Sequence, residues 1–326
     1  GGRQVLLITN HVSEHYDAMY IGHMDTVFPD GTAEKRPFRI EGENYYGPGV
    51  GDMKNGDLAM FHIAANLPET EKKCLNIAMV YNPDEEIGSI YSKEITDRIG
   101  CQADHIFVME SAGKNGTRHC FARKGSLTYD IEFQGQAAHA GFMFEVENAS
   151  AVLEMGHYIV ELMSLADREK DTTVNVGIAN GGTARNVVAD HAKISVEMRF
   201  RDDSERIRLK EYVNKITEGQ PFVPGVKTTI TMQKETPPFI KTEEAKKYIE
   251  RVRKIAEEHG IPFEEKDRGG LSDANHLSRC GKAIVMDGMG PHGANDHSEK
   301  EYGYIGSVEP CVKLHLAILN DMLNKQ

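Results

Sequence analysis

Imidazole and carboxylate side chains occur in this chain in short clusters that could bind metal ions and activate water. Six of them are candidates for the ligands and the general base of one two-metal hydrolytic site: His23, Asp52, Glu85, Glu86, Glu110 and His297. Histidine and carboxylate groups together are typical ligands of zinc, with cobalt or manganese as replacements. Paired ions of this kind polarise a carbonyl group and activate water, which favours hydrolysis.

Two adjacent glutamates, Glu85 and Glu86, follow the apolar run 77–81. Neighbouring carboxylates at the end of a buried strand repel each other unless a cation or a proton intervenes. Two different roles would separate them, with Glu86 on a metal ion and Glu85 as the base that acts on water. A solvated acidic turn is the alternative interpretation.

His23 and Asp52 lie in the two clusters that come first in the chain. Asp25 lies two residues after His23, so in an extended segment it could orient the imidazole through the second ring nitrogen. An ordinary histidine at a strand end is the alternative. Asp52 lies in the glycine-rich turn 47–56 and could bridge two cations; the alternative is a helix N-cap. That turn contains four glycines and a proline, more than a cap requires.

Glu110 and a C-terminal histidine complete the candidate set. Glu110 follows the apolar run 106–109, and His297 lies in the polar segment 295–299. His292 is a competing ligand only five residues earlier. The residues alone leave the choice between the two histidines open.

The elements that must position these residues follow from the hydrophobic pattern. Strand-like and helix-like segments alternate in the first part of the chain, including a helical pattern with Leu58, Phe61 and Ala65 after Asp52. This alternation predicts an α/β fold with a mostly parallel sheet covered by helices. Parallel strands end at one edge of a sheet, so residues that follow the buried runs can converge there.

The pattern changes at about residue 124. Segments 127–133 and 193–200 alternate between apolar and polar residues, which is typical of half-buried antiparallel strands. We therefore predict that 124–235 forms an α+β antiparallel domain inserted between 1–123 and 236–326, which together form the catalytic domain.

Composition restricts the partners and the compartment. The net charge is −12, with 50 acidic and 38 basic residues, so we expect no nucleic-acid partner. No apolar run approaches the roughly 20 residues needed to cross a bilayer, and we expect no membrane partner. The five cysteines are odd in number and show no C-x-x-C spacing, so we expect a protein of the reducing cytoplasm. The first residues show no signal-peptide pattern; the alternative is a signal carried on a preceding segment.

Seven motifs resemble, in the same order, those of the co-catalytic zinc metallopeptidases. That family includes glutamate carboxypeptidase, aminoacylase, succinyl-diaminopimelate desuccinylase and tripeptidase, and the resemblance to glutamate carboxypeptidase is the strongest. It extends over nearly the whole chain. The motifs are 22–26, 51–54, 84–88, 136–141, 182–186, 270–273 and 297–301.

The resemblance implies a zinc exopeptidase-like fold, two Zn²⁺ ions and a homodimer formed through the inserted lid domain. It also implies a role for each matched residue. Asp52 bridges the ions, His23 and Glu110 hold one of them, Glu86 and His297 hold the other, Asp25 supports His23, and Glu85 is the general base. In the lid, the resemblance implies that His139 stabilises an oxyanion in the partner subunit's site.

The same resemblance places Asn186, Arg199 and Gly270 among the substrate-binding groups. The sequence differs from the family pattern in two places. Ser272 replaces a more usual threonine, and only 22 residues precede His23, where relatives have a helical region. We therefore expect a longer native chain.

Two arginines bear on the substrate. Arg199 lies on the polar face of an alternating segment, and its guanidinium group matches a substrate carboxylate. The alternative is a solvated arginine paired with Glu197 or Asp202. Arg118 could supply a second cation for an acidic side chain.

We therefore expect hydrolysis of a peptide or amide bond next to a free carboxylate, with small peptides as substrates and release of C-terminal glutamate as one candidate reaction. An N-acyl amino acid deacylase or a di- or tripeptidase with the same site is the nearest alternative. A non-catalytic metal- or peptide-binding protein is an alternative of a different class.

Overall fold

The computed structural model describes residues 4–324 of the chain. Within them the chain forms two compact units. The first runs to Arg123 and resumes at Phe239, and the second is Lys124–Pro238. None of the helices between residues 4 and 324 combines the length and the apolar character needed to span a bilayer.

The first stretch of the first unit contains eight strands and four α-helices among the described residues. The strands are β1 (Leu6–Thr9), β2 (Tyr16–His23), β3 (Arg39–Glu41), β4 (Asn44–Tyr46), β5 (Ile77–Asn82), β6 (Ala103–Val108), β7 (Ser111–Ala112) and β8 (Arg118–His119). The helices are α1 (Thr32–Lys35), α2 (Asn55–Asn66), α3 (Glu69–Cys74) and α4 (Lys93–Gly100).

The second unit is built on an antiparallel sheet. Its elements are β9 (Gly125–Gln134), β10 (Ala138–His139), α5 (Ala151–Met163), β11 (Thr173–Gly181), β12 (Val187–Val188), β13 (His191–Phe200), α6 (Asp203–Glu218) and β14 (Lys227–Thr236). The strand order is β11-β13-β9-β14, and β10 pairs with β12. The predicted domain end at residue 235 lies one residue before the end of β14.

Side-chain alternation explains how the second unit folds. On β9, Leu127, Tyr129, Ile131 and Phe133 are buried, and the residues between them are more exposed. The buried face packs against one side of helices α5 and α6. This arrangement confirms the alternating pattern that predicted an antiparallel sheet with one wet face.

The last stretch returns to the first unit. Its elements are α7 (Glu243–Glu258), β15 (Glu264–Glu265), α8 (Ala274–Leu277), β16 (Ile284–Met286), β17 (Gly290–Ala294), β18 (Tyr302–Tyr304) and α9 (Val308–Leu323).

The central sheet of the first unit has the strand order β1-β5-β2-β6-β16. Strand β2 pairs in parallel with β5 and β6, β6 pairs in parallel with β16, and β1 is an antiparallel edge strand. Successive residues of β2 belong to two different apolar clusters, with Tyr20 in one and Met19 and Ile21 in the other. The sheet is therefore buried on both faces, and the predicted α/β fold class is confirmed.

Helix α2 has a different orientation from the one its most apolar positions indicate. Ala59, Met60 and Ile63 are buried, whereas Leu58 and Phe61 are 48% and 63% exposed. The predicted helix is present, but the apolar residues used to predict it do not lie on its buried face.

Strand ends bring the predicted residues to one edge of the central sheet. Strand β2 ends at His23, β5 ends three residues before Glu85, and β6 ends two residues before Glu110. A second five-stranded sheet, β3-β4-β18-β17-β7, belongs to the same unit, and His297 lies in the loop between β17 and β18.

Candidate active site

His23 occupies the last position of β2, and its side chain is only 1% exposed. Its Nε2 lies 3.0 Å from Oδ1 of Asp52 and 3.5 Å from Oε1 of Glu110. Its Nδ1 lies 3.1 Å from the carbonyl oxygen of Asp25 and 3.5 Å from the Asp25 carboxylate. Nδ1 therefore contacts both the backbone carbonyl group of Asp25 and, at a longer distance, its carboxylate.

The Asp25 carboxylate has a second set of contacts. Its two oxygens accept hydrogen bonds from the backbone N–H groups of Glu85, at 3.1 Å, and Glu86, at 3.0 Å. These donors begin a short 3₁₀ turn, Glu85–Ile87. Asp25 therefore fixes the backbone of the two adjacent glutamates while its carbonyl group contacts His23.

Asp52 lies in the glycine-rich turn, which a buried glutamate holds in place. Glu301 accepts hydrogen bonds from the backbone N–H groups of Gly49 and Gly51, each at 2.8 Å, and of Asp52, at 3.0 Å. Gly49 has a left-handed backbone with φ 72°, and a Cβ there would lie 2.3 Å from the Thr26 side chain. A glycine is therefore required at that position.

His297 approaches Asp52 from a loop. Its Nε2 lies 3.1 Å from Oδ2 of Asp52 and 3.1 Å from Oε2 of Glu86. His297 has a left-handed backbone with φ 60°, which is unusual for a residue with a side chain, and its ring is 55% exposed. This histidine is therefore accessible from solvent, in contrast to His23.

Two groups of side chains could each hold one metal ion, and they share Asp52. One group is His23, Asp52 and Glu110, and the other is Asp52, Glu86 and His297. In each group the potential ligand atoms lie within 4.8 Å of one another. Because one Asp52 oxygen faces each histidine, the carboxylate has the geometry of a bridge between two ions.

The electrostatics of the site indicate a deficit of positive charge. Burial, followed by repulsion from the nearby Asp52 carboxylate, raises the pKa of Glu86 to about 7. Burial also raises the pKa of Glu110, with Asp52 again contributing. Burial, followed by repulsion from Asp273 and Glu110, raises the pKa of Glu85 well above its usual value.

The histidines compensate this charge only in part. Burial lowers the pKa of His23, but its hydrogen bonds to the carboxylates of Asp25, Asp52 and Glu110 outweigh burial and raise the pKa well above the usual value. Oε1 of Glu86 is buried and has no hydrogen-bond partner within residues 4–324. Buried carboxylates with an unsatisfied oxygen fit a site for divalent cations, which would take the place of the bound protons.

His292, the competing histidine, does not join either group. It is buried on β17, and its Nδ1 lies 3.0 Å from the carbonyl oxygen of Ala112. The five-residue separation therefore places the two histidines in different environments.

Two predicted substrate-binding residues of the first unit also lie outside the two groups. Arg118 donates from Nε to Glu264 at 2.9 Å. The carbonyl oxygen of Gly270 accepts a hydrogen bond from Nη1 of Arg123 at 3.3 Å. Arg123 is buried in an ion pair with Asp287 at 2.5 Å, so Gly270 contacts a structural network.

The predicted lid residues belong to the second unit. His139 and Asn186 are exposed, and they lie near each other because β10 pairs with β12 and Ala140 N donates to the Asn186 carbonyl at 2.9 Å. Arg199 on β13 donates from Nε and Nη2 to Glu197, at 2.9 and 2.5 Å. Glu197 is one of the two partners that the alternative interpretation named for this arginine.

The sequence alone did not identify Glu301 and Asp273, two acidic residues that lie behind the potential metal ligands. Glu301 and Asp273 are each the last residue of a family-like motif, 297–301 and 270–273. Their position in those motifs was the only signal, because nothing in the spacing of an isolated acidic residue predicts that it accepts backbone or side-chain hydrogen bonds beneath a site.

An α/β fold with two groups of potential metal ligands at a sheet edge is typical of metal-dependent hydrolases. Residues 19–321 match peptidase family M20/M25/M40, and the chain belongs to that family. It is accordingly a hydrolase that acts on peptide or amide bonds, as the resemblance in the sequence predicted.

Two curated relatives show the range of the similarity. Carboxypeptidase G2 of Pseudomonas sp. (strain RS-16) is 26% identical over 308 residues, which are 93% of this chain and 73% of that protein. Succinyl-diaminopimelate desuccinylase of Halorhodospira halophila is 24% identical over 323 residues, covering 93% and 82%.

Solved structures share the fold. Aminopeptidase PepT from Bacillus cereus superposes with a TM-score of 0.75 at 23% identity, covering 98% of this chain and 84% of that one. The Bacillus subtilis protein YXEP, described as a dinuclear metal binding peptidase, has a TM-score of 0.70 at 12% identity, covering 99% and 86%.

Proposed function

We propose that this protein is an exopeptidase that uses two divalent metal ions, best matched by zinc, to hydrolyse an amide bond next to a free carboxylate. His23, Asp52 and Glu110 would hold one ion. Asp52, Glu86 and His297 would hold the other. The observation that carries the proposal is the central place of Asp52, whose two oxygens lie 3.0 and 3.1 Å from two different imidazoles.

The donor set supports zinc more than magnesium or calcium. Imidazole nitrogen together with carboxylate oxygen suits zinc, whereas magnesium and calcium prefer oxygen alone. When bound, such ions polarise the carbonyl group of the substrate and lower the pKa of water.

Glu85 is the proposed general base. It would take a proton from the attacking water and deliver it to the nitrogen of the leaving group. Burial and neighbouring carboxylates raise its pKa, and proton transfer near neutral pH is most efficient when the pKa of the base lies near that pH. The hydrogen bonds from Glu85 and Glu86 to Asp25 hold the turn that carries it.

Substitution of Glu85 tests this role. In E85Q, we expect kcat to fall by about 10²–10⁴-fold, the range typical of a general acid–base group, with zinc content unchanged. Elemental analysis and steady-state kinetics measure both quantities. Activity within threefold of the wild type would contradict the assignment of the base.

For the substrate, we propose a small peptide with a free carboxylate, with C-terminal glutamate as the first candidate. Arg199 and Arg118 offer the guanidinium groups for carboxylates, Asn186 and Gly270 are further proposed contacts, and His139 is the proposed oxyanion stabiliser. The similarity to a protein named carboxypeptidase G2 favours this reaction.

The nearest alternative is an N-acyl amino acid deacylase or a di- or tripeptidase with the same site. Relatives named succinyl-diaminopimelate desuccinylase, and fold neighbours named aminopeptidase and tripeptidase, favour these reactions. The catalytic groups are common to all of them, so the difference lies in the groups that contact the ends of the substrate.

A substrate panel decides between these reactions. The zinc-loaded protein is assayed with peptides ending in glutamate, N-acetyl and N-succinyl amino acids, and free di- and tripeptides, and kcat/KM is compared. The highest value for C-terminal glutamate supports the carboxypeptidase. A value at least tenfold higher for an N-acyl amino acid or for a free tripeptide would overturn it.

We also propose a homodimer formed through the second unit. Strand β11 is an edge strand of the antiparallel sheet, and helix α5 exposes Val152, Leu153 and Val160. An exposed strand edge beside an apolar helix face is an unfavourable surface for a monomer. Light scattering during size-exclusion chromatography measures the mass, and a monomer at micromolar concentration would contradict the dimer.

We propose a cytoplasmic location for this enzyme, with no nucleic-acid or membrane partner. All five cysteines are free thiols, and three of them are buried. Unpaired cysteines in the interior are typical of proteins that fold in a reducing compartment.

A further inference from the structure

The two adjacent glutamates lie on a short segment, residues 82–89, that is anchored at both ends. We call this segment the glutamate turn. Its middle is held by the Asp25 carboxylate, as described above. Gly88 and Ser89 have left-handed backbones with φ 90° and 54°, so the segment reverses sharply after the glutamates. Such a backbone is disfavoured for serine and needs external contacts to keep it in place.

Asp273 provides those contacts at both ends of the glutamate turn. Nδ2 of Asn82 donates to one of its oxygens at 2.7 Å, and Oγ of Ser89 donates to the other at 2.6 Å. The side chains of Asn82 and Ser89 also bond to each other at 3.0 Å. One carboxylate therefore closes the segment into a ring, and it comes from a part of the chain distant from Asp25.

A buried imidazole supplies the counter-charge for Asp273. Asp273 and His276 are both buried, and Nε2 of His276 lies 3.0 Å from Oδ1 of Asp273. Nδ1 of the same ring lies 2.5 Å from Oδ1 of Asp97. Burial lowers the pKa of His276, but Asp273 and Asp97 outweigh burial and raise it to about 9.

This network lies apart from the two groups of potential metal ligands. A buried ion pair contributes little net stability compared with apolar packing, so we assign this network a role in orientation and not in stability. Groups one layer behind a catalytic side chain set its position, and a shift of about 1 Å in that position can reduce the rate about 100-fold.

We propose that Asp273, held in place by His276, is a positioning residue that keeps Glu85 aimed at the attacking water. The inference rests on the proposed function, since it takes Glu85 as the base. Asp273 does not touch the substrate or the reacting atoms; it acts through Asn82 and Ser89 on the glutamate turn.

The test uses D273N, which keeps the shape of the side chain but places an amide N–H₂ group against a donor. The matched control is D267N, because Asp267 is exposed and lies six residues earlier in the same segment. In zinc-loaded D273N we expect kcat to fall about 10–100-fold, with KM and zinc content per folded chain within twofold of the wild type. The control should match the wild type in all three quantities.

A second readout is independent of activity. In the metal-free protein, hydrogen–deuterium exchange of the amides of residues 84–89 should be at least tenfold faster in D273N than in the wild type and D267N. Unchanged exchange in this segment would overturn the inference. So would a kcat within twofold of the wild type, or a rise in KM with kcat unchanged.

The double variant E85Q/D273N separates this inference from the proposed function. If Asp273 acts through Glu85, D273N should change the residual kcat of E85Q by less than twofold; a further tenfold loss would contradict the inference. Normal activity of E85Q alone would instead contradict the proposed base. If D273N does not fold, S89A decides: a three- to tenfold loss of kcat supports the inference, and a kcat within twofold of the wild type overturns it.

Discussion

The two halves of the candidate metal site differ in how the fold builds them. His23 is 1% exposed and ends a central strand, whereas His297 is 55% exposed and lies on a loop with a left-handed backbone. Glu110, in the buried half, also follows a central strand directly. The buried half is therefore formed by the sheet itself, and the exposed half depends on a loop that reaches back to the shared Asp52.

This difference predicts unequal consequences of substitution. Changes in the shared aspartate should remove both ions. Changes in the buried half should also affect folding, whereas changes in the exposed half should affect one ion and leave folding intact.

The largest effect is expected for the shared residue. D52N replaces a carboxylate that can bridge two ions by an amide with one acceptor oxygen. We expect zinc content to fall below one ion per chain and hydrolysis to fall below detection with the best substrate of the panel. If D52N keeps two ions per chain and activity within tenfold of the wild type, Asp52 is not a ligand shared by both ions.

The second effect compares the two histidines directly. In the metal-free protein, H23A leaves the partly buried Asp52 and Glu110 carboxylates without their shared imidazole partner, which should lower the free energy of unfolding by about 1–3 kcal/mol. H297A should change it by less than about 0.5 kcal/mol, since the ring is largely exposed.

Urea unfolding measures the stability of both variants, and elemental analysis measures their zinc content. We expect H297A to retain about one ion per chain. Equal losses of stability in H23A and H297A would contradict the proposed difference between the two halves of the site.

The third effect concerns the support of the glycine-rich turn. Glu301 accepts three backbone N–H groups, so E301Q should lower the free energy of unfolding by about 1–2 kcal/mol and reduce zinc affinity. E299Q is the matched control, because Glu299 is exposed. If the two variants unfold at the same urea concentration and bind zinc equally, Glu301 does not hold the turn.

The last prediction concerns the pH dependence of stability that His276 causes behind the site. The pKa of His276 is about 9 in the folded protein, against about 6.5 unfolded. Its contribution to stability is therefore complete below pH 6.5 and is lost as the pH rises through about 9. Stability of the metal-free wild type should fall more than that of H276Q between pH 6.5 and pH 10; parallel curves would contradict the raised pKa.

The buried half of the site could be predicted from the sequence, because apolar runs before His23 and Glu110 identify strands of a parallel sheet. The exposed half could not be predicted from apolar runs. No periodicity separates His297 from His292, and the choice came from the resemblance of 297–301 to a family motif. The geometry adds a physical difference, since one histidine lies in a strand and the other in a loop.

Residue types and spacing leave several details of the structure open. Leu58 and Phe61 predicted helix α2 correctly but are exposed, because a helical period indicates a helix without indicating which face packs. The contact between His23 and the Asp25 carbonyl oxygen also escaped prediction, since residue types reveal side chains but not the backbone groups that lie beside them. Pairing of Arg199 with Glu197 was one of two alternatives, and only three-dimensional geometry distinguishes them.

The most direct measurement is anomalous diffraction at the zinc edge from crystals of the zinc-loaded protein. Two peaks are predicted, one in contact with His23, Asp52 and Glu110, and the other in contact with Asp52, Glu86 and His297. A single peak, or peaks that do not share Asp52, would contradict the two-ion site.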